Sequence, residues 1–343
     1  MDLMQTLEAL SSVAGPAGSE DLACALAVDL LTPYMDRVYT DTLGNVIGER
    51  ACGKPGARRV LIDAHLDEVG FVVTGHKSSF PTISPLGRVD ARLLPGTRLR
   101  VLTDPPIIGV VPCMPPHVLS SSAMNQAMKI EDMVLDLGLS SDAASAIRLG
   151  TPVVFDSEPI PMGDNLFSGK ALDNRACLAA LLLALSRLPK ALDVDLVVMA
   201  SVQEELGLRG AEAGLFSLKP DIYLALDVTF GHVPGTSSAQ TCQFGGGAAI
   251  GVGPVLSRSL TDLLVDLAAS HKIPYQMEVL SGKSSTTADL GQITHGGVPT
   301  ALISLPLRYM HSASELVNLA DIEAVSNLVA AFLLHLEGGG IHA

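Results

Sequence analysis

The chain has 343 residues, 48% of them hydrophobic and 17% charged, with Lys+Arg 22 against Asp+Glu 36 and a formal net charge of −14. That length allows one large domain or two moderate ones, and the hydrophobic fraction excludes a disordered chain or a coiled coil. A field of negative sign repels polyphosphate and anionic headgroups, so neither nucleic acid nor a membrane surface is expected as a partner.

Taken in order, the chain begins Met1-Asp2-Leu3-Met4, without the basic segment and apolar core of a signal peptide. Leu22, Ala25, Leu26, Leu30 and Leu31 recur at helical spacing after a Gly15-Pro16-Ala17-Gly18-Ser19 break. Glu20 and Asp21 then suit the positive end of that helix. Val38 to Ile47 reads as a hairpin around Asp41 and Gly44-Asn45, and Arg59 to Ala64 as a buried strand ending at His65-Leu66-Asp67-Glu68. Between residues 70 and 163 the texture changes to short β-rich segments separated by Pro and Gly, at Phe71–Thr74, Arg98–Leu102, Ile107–Val111 and Pro152–Phe155. This predicts an inserted small β-barrel domain, with one short helix inside Lys129–Leu149.

Strand and helix patterns alternate again from Asp164. Asn174–Leu188, Ser259–Ala269 and Asp321–Leu336 read as helices; Val194–Val202, Ile222–Leu226 and Ala301–Leu305 read as strands. The predicted fold is α/β, a mainly parallel sheet sandwiched by helices, whose two parts are residues 1–69 and 164–343. Apolar runs such as Ala176–Leu185 are too short to span a bilayer. The five cysteines form no C-x-x-C pair. They fit reduced thiols, so a cytoplasmic location is expected.

The chemistry sits at predicted strand ends: His65-x-Asp67, Glu204-Glu205, Asp227 and His311, with Asp173 in a loop that opens a helix. Ligands of open α/β sheets bind beyond the carboxyl ends of the strands. Each element has an ordinary reading: a hydrogen-bonded His–Asp pair, a solvated strand end, a helix cap, a turn residue. Together they supply what a two-metal hydrolytic site requires, namely imidazoles, carboxylates and a spare glutamate.

Longer motifs surround these residues. They include Ala64-His65-Leu66-Asp67-Glu68-Val69-Gly70, Ala171-Leu172-Asp173-Asn174-Arg175, Gln203-Glu204-Glu205-Leu206-Gly207-Leu208-Arg209-Gly210-Ala211, Ala225-Leu226-Asp227-Val228-Thr229 and Arg308-Tyr309-x-His311-Ser312. Through them, over nearly its whole length, the sequence resembles the tetrahedral (TET-type) glutamyl aminopeptidase and cellulase M family of cocatalytic metallo-aminopeptidases. The resemblance implies two divalent ions per chain, zinc with cobalt or manganese as alternatives, bridged by Asp173. His65 and Asp227 complete one ion, Glu205 and His311 the other; Glu204 is the general base and Asp67 supports His65. It implies release of N-terminal residues from short peptides, a zinc-exopeptidase-like fold, and self-association up to a tetrahedral dodecamer. Hydrolysis of another amide or N-acyl amino acid conjugate is the alternative function, and a non-catalytic binding protein of the same fold is a third. The run Thr287-Ala288-Asp289-Leu290-Gly291 departs from the family's Gly-Thr-Asp-Ala-Gly-like pattern, with Leu290 bulkier than usual, and His232 follows Asp227 closely.

Overall fold

A computed structural model describes residues 1–118 and 128–336. In chain order the elements are α1 (Leu3–Ser12), α2 (Asp21–Leu31), β1 (Arg37–Thr40), β2 (Val46–Arg50), β3 (Arg59–Asp63), β4 (Gly70–Lys77), β5 (Phe80–Leu86), β6 (Arg98–Val101) and β7 (Ile107–Val110). There follow α3 (Ser141–Ser145), β8 (Pro152–Phe155), β9 (Ile160–Met162), β10 (Leu166–Gly169), α4 (Leu172–Leu185), β11 (Asp195–Ala200), α5 (Arg209–Leu218), β12 (Ile222–Phe230) and β13 (Ala248–Val252). The chain closes with α6 (Arg258–Ser270), β14 (Tyr275–Val279), α7 (Ala288–Gly291), β15 (Thr300–Arg308), β16 (Glu315–Asn318) and α8 (Leu319–His335).

Among the described residues, 11 strands form one large sheet whose main path runs β1-β2-β11-β3-β12-β15-β16-β10-β9. Its middle strands β11, β3, β12 and β15 are mutually parallel and apolar on both faces. Side chains alternate between two cores, as a pleated strand requires. Val60 and Ile62 of β3 and Leu224 and Leu226 of β12 face helices α1, α2, α4, α6 and α8. Leu61, Tyr223 and Ala225 face α5 and α7 on the other side.

The expectation of a mainly parallel sheet is corrected. Pairings β1–β2, β2–β11, β15–β16, β16–β10, β10–β9 and β13–β15 are antiparallel, so the sheet is mixed. The connections explain several of these. Asp41–Asn45, Gly163–Asn165 and Tyr309–Ser314 are short returns, whereas a parallel neighbour needs a crossover of a dozen or more residues.

A second sheet, β5-β4-β8-β6-β7, is antiparallel throughout and drawn from Gly70 to Phe155. It packs a core of its own, with Phe71 edge-on to Phe155 at 5.6 Å between ring centroids. Bridges Thr82–Val134 and Val110–Asp136 attach both of its outer strands to one extended segment. That segment lies inside Lys129–Leu149, where only α3 and a single 3₁₀ turn at Ile130–Asp132 are helical. Met133, Leu135 and Leu137 are buried in alternation, a period of two that belongs to extended chain. Strand β9 pairs with β10 and so belongs to the large sheet. Among the described residues no helix is long and apolar enough to cross a membrane.

Candidate metal centre

Strand β3 continues beyond Asp63 in extended form, because Ala64 donates to Met199 O and Leu66 to Ser201 O. His65 and Asp67 therefore project to one face, two residues apart. Neighbouring parallel strands deliver Glu204 and Glu205 after β11, Asp227 within β12 and His311 after β15, while Asp173 enters from the first turn of α4. All seven residues converge.

Asp173 stands at the middle. Its Oδ1 lies 3.0 Å from His65 Nε2 and its Oδ2 lies 3.2 Å from His311 Nε2. Around His65, Asp227 Oδ1 is 3.9 Å and Glu204 Oε2 4.0 Å from Nε2, and Asp67 Oδ1 is 3.5 Å from Nδ1. Around His311, Glu205 Oε1 is 3.1 Å from Nε2. Adjacent glutamates on a strand would point to opposite faces, but β11 has ended at Ala200 and Gln203 takes a left-handed φ of 54°. In the turn that follows, Glu204 is free to approach His65 while Glu205 approaches His311.

Burial and charge set the electrostatics. Burial alone lowers the affinity of both imidazoles for a proton, yet hydrogen bonds that they donate to carboxylates outweigh it. Asp173 and Asp67 hold His65 well above its usual range, and Asp173 and Glu205 push His311 up to about 11. Asp173, although buried, is held below the carboxylate range by the same two imidazoles. Burial raises Glu204 to about 8, opposed by His65 and assisted by Glu205 and Asp173. Burial likewise lifts Glu205, and lifts Asp227 well above its ordinary value.

More carboxylates meet here than two imidazoles can balance. Divalent cations are the groups that relieve such an excess inside a protein. Imidazole with carboxylate is a donor set suited to zinc, cobalt and manganese. Ligand atoms ~2.0–2.2 Å from a shared tetrahedral ion sit ~3.2–3.6 Å from one another. The donor atoms of His65, Asp173 and Glu205 all lie within 4.8 Å of one another, a wider spread than a single tetrahedral ion requires and one that fits a cluster built around Asp173. The residues fit a divalent ion.

Beneath these residues lies an ionic tie that the sequence did not announce. Lys170 Nζ donates to buried Glu68, at 2.7 Å to Oε1 and 2.8 Å to Oε2, and to Val13 O at 3.0 Å. Arg175 adds donations to the carbonyls of Leu66, Leu10 and Val13. The loop after His65 is thereby fastened to the loop before Asp173. Glu315, also missed, accepts the backbone N–H of Asp173 and of His311. Its only sequence signal is an acid at the head of the apolar pair Leu316-Val317, four residues past His311.

The other singled-out residues lie apart from the cluster. His232 Nδ1 is 3.2 Å from Thr241 Oγ1 and is used in its own loop. Asp289 accepts from the backbone of Ser284 and Ser285, and half-buried Leu290 packs against the core on the α5 side.

Comparison with known proteins gives concordant matches. The family described as M42 glutamyl aminopeptidase matches residues 44–328. A lysyl aminopeptidase of Pyrococcus furiosus is 34% identical over 331 residues, covering 94% of each chain. An aminopeptidase from the archaeon Desulfurococcus kamchatkensis superposes with a TM-score of 0.89 at 33% identity, over 97% of this chain and 94% of that one. The TET1 peptidase of Pyrococcus horikoshii, described as assembling into a tetrahedron or a large octahedral shell, gives 0.84 at 25% identity, over 97% and 99%.

Proposed function

Since the chain belongs to the M42 glutamyl aminopeptidase family and is a metal-dependent aminopeptidase, we propose that two divalent ions share Asp173, one completed by His65 and Asp227 and the other by Glu205 and His311. The observation that carries this reading is the division of Asp173 between two histidines, 3.0 Å on one oxygen and 3.2 Å on the other. Zinc is the first assignment for both ions, with cobalt or manganese as alternatives. When bound, such ions lower the pKa of water toward neutrality and polarise the scissile carbonyl.

Glu204 is the general base. Its carboxylate stands 4.0 Å from His65 Nε2, and burial raises its proton affinity toward neutral pH, which suits a group that must accept and return a proton. It takes the proton of the attacking water and passes it to the leaving amine. Asp67 orients His65 and secures the turn that carries Glu204.

The sheet drawn from Gly70–Phe155 supports an inserted domain that ends before β9, a small barrel whose outer strands are joined through the bridges Thr82–Val134 and Val110–Asp136. Exposed Ile108 and Val110 on its edge strand β7 support a role in self-association, and the TET1 peptidase suggests a tetrahedral dodecamer as its form. Five free cysteines support a cytoplasmic location.

The test is a panel of free and N-acylated aminoacyl substrates, assayed with chelator-treated protein to which each ion is returned separately. Hydrolysis of free N-termini alone, on metal return, supports the aminopeptidase; preference for N-acylated substrates moves the reading to an amide hydrolase of another class.

A further inference from the structure

Two residues at the centre take backbone conformations that L-amino acids seldom adopt. His311 has a φ of 61°, and Ala171, two residues before Asp173, has 59°. Left-handed non-glycine residues are disfavoured and persist only where their surroundings hold them. Both stretches are loops, and loops by themselves do not fix a side chain to within tenths of an ångström.

One buried side chain reaches both. Glu315 Oε2 accepts the backbone N–H of Asp173 at 3.0 Å, and Oε1 accepts that of His311 at 2.7 Å. Glu315 is 2% exposed. Register places it: as the first residue of β16 it pairs with Gly169, the last residue of β10, from which the loop to Asp173 departs. The turn bearing His311 joins β15 to the same residue. Glu315 is therefore at the crossing of the two loops.

We infer that Glu315 is a positioning residue, whose carboxylate fixes Asp173 relative to His311 through two backbone hydrogen bonds. This rests on the ion assignment proposed above. Only a carboxylate presents two acceptors in one plane to two converging N–H donors. Glutamine would set an NH₂ group against one of them, leaving that donor without an acceptor and turning one loop away. An apolar side chain would strand both. Groups that orient ligands from behind alter metal affinity or activity by ~10–100-fold.

The test compares wild type with Glu315→Gln and Glu315→Asp, each as the full chain treated with chelator and titrated with Zn²⁺ by calorimetry. Expected is a ~10–100-fold loss of affinity for one of two ions in Glu315→Gln. With it, kcat falls and excess Zn²⁺ partly restores it, while KM changes little. Cobalt-loaded Glu315→Gln should show an altered visible spectrum, because the ligand geometry has shifted. Glu315→Asp keeps both acceptors and should lie between; it carries the same readings if Glu315→Gln does not fold. A variant with lowered melting temperature but unchanged Zn²⁺ affinity, spectrum and kcat below it would make Glu315 structural only and overturn the inference. A wild-type chain that takes up no Zn²⁺ would instead overturn the ion assignment itself, and this inference with it.

Discussion

Asp67 accepts the backbone N–H of Glu204 at 2.9 Å on Oδ1, and its Oδ2 accepts that of Glu205 at 3.1 Å. One carboxylate thus sets the turn on which the two glutamates diverge, and the same Oδ1 stands 3.5 Å from His65 Nδ1. Replacing Asp67 by Asn keeps the shape and one acceptor but opposes an NH₂ to the other backbone donor. Activity should fall ~10–100-fold, the range for groups that orient metal ligands. Steady-state kinetics and metal content of Asp67→Asn check it; an unchanged kcat would remove Asp67 from the machinery.

Glu204 and Glu205 should respond differently to the same change. In Glu204→Gln the side-chain shape is kept and the base is lost, so bound metal should be retained while the rate falls ~10²–10⁴-fold. In Glu205→Gln the chain should lose one ion and recover part of its activity in excess metal. Metal analysis and turnover of both variants decide between these roles and a pair of ordinary strand-end acids, for which neither change would matter.

Chelation should abolish activity, and about two divalent ions per chain should be needed to restore it. Ions that bind the folded chain alone also stabilise it, by ~2.7 kcal/mol at a hundred times Kd. The melting temperature should therefore rise with added ion alongside activity. Full activity in metal-free protein would sink the assignment.

Lys170→Met should be strongly destabilising. The methionine packs in the same space but leaves Glu68 buried without its principal cation, and breaking a buried pair in this way costs ~3–5 kcal/mol. Denaturant unfolding measures the difference. A loss below ~1 kcal/mol, the range of exposed pairs, would show that Arg175, whose guanidinium stands 3.4 Å from Glu68 Oε1, supports that carboxylate without Lys170.

Asp321, in the first turn of α8, accepts the N–H groups of Gly245 and Gly247, and burial raises its carboxyl from 3.8 to about 6. Between ~pH 4 and ~pH 6 the folded chain keeps a proton that the unfolded chain has released, so this group's contribution to stability declines as pH rises through that window. Asp321→Asn has no such titration. Unfolding free energies taken from pH 4 to 7 should show wild type losing stability relative to the variant up to about pH 6 and running parallel above it. Parallel curves throughout would mean that the carboxyl titrates normally.

Much of this was local and so legible along the chain. An apolar run ending in His65-x-Asp67 or Glu204-Glu205 is a buried strand that stops at polar side chains, and adjacent residues suffice to state it. The hairpin around Asp41 was equally local, since Asp41 Oδ1 accepts from Leu43, Gly44 and Asn45 within the turn itself. Segment Lys129–Leu149 shows the opposite case. Its residues carry both periods weakly, and the alternating one prevails because β5 and β7 offer backbone partners to Val134 and Asp136.

The tertiary structure alone decided the rest. Which strands run antiparallel depends on how each connection packs across the sheet, and apolar content on a strand is indifferent to the direction of its neighbour. Glu315 lies 142 residues from Asp173, and only the pairing of β16 with β10 brings its second oxygen to that backbone. Glu68 and Lys170, 102 residues apart, meet by the same kind of closure. The sequence determined which side chains are candidates for the chemistry, because residue type and local pattern mark them. Their mutual geometry was set by long-range register, since distances between loops are fixed only once the sheet that bears them has formed.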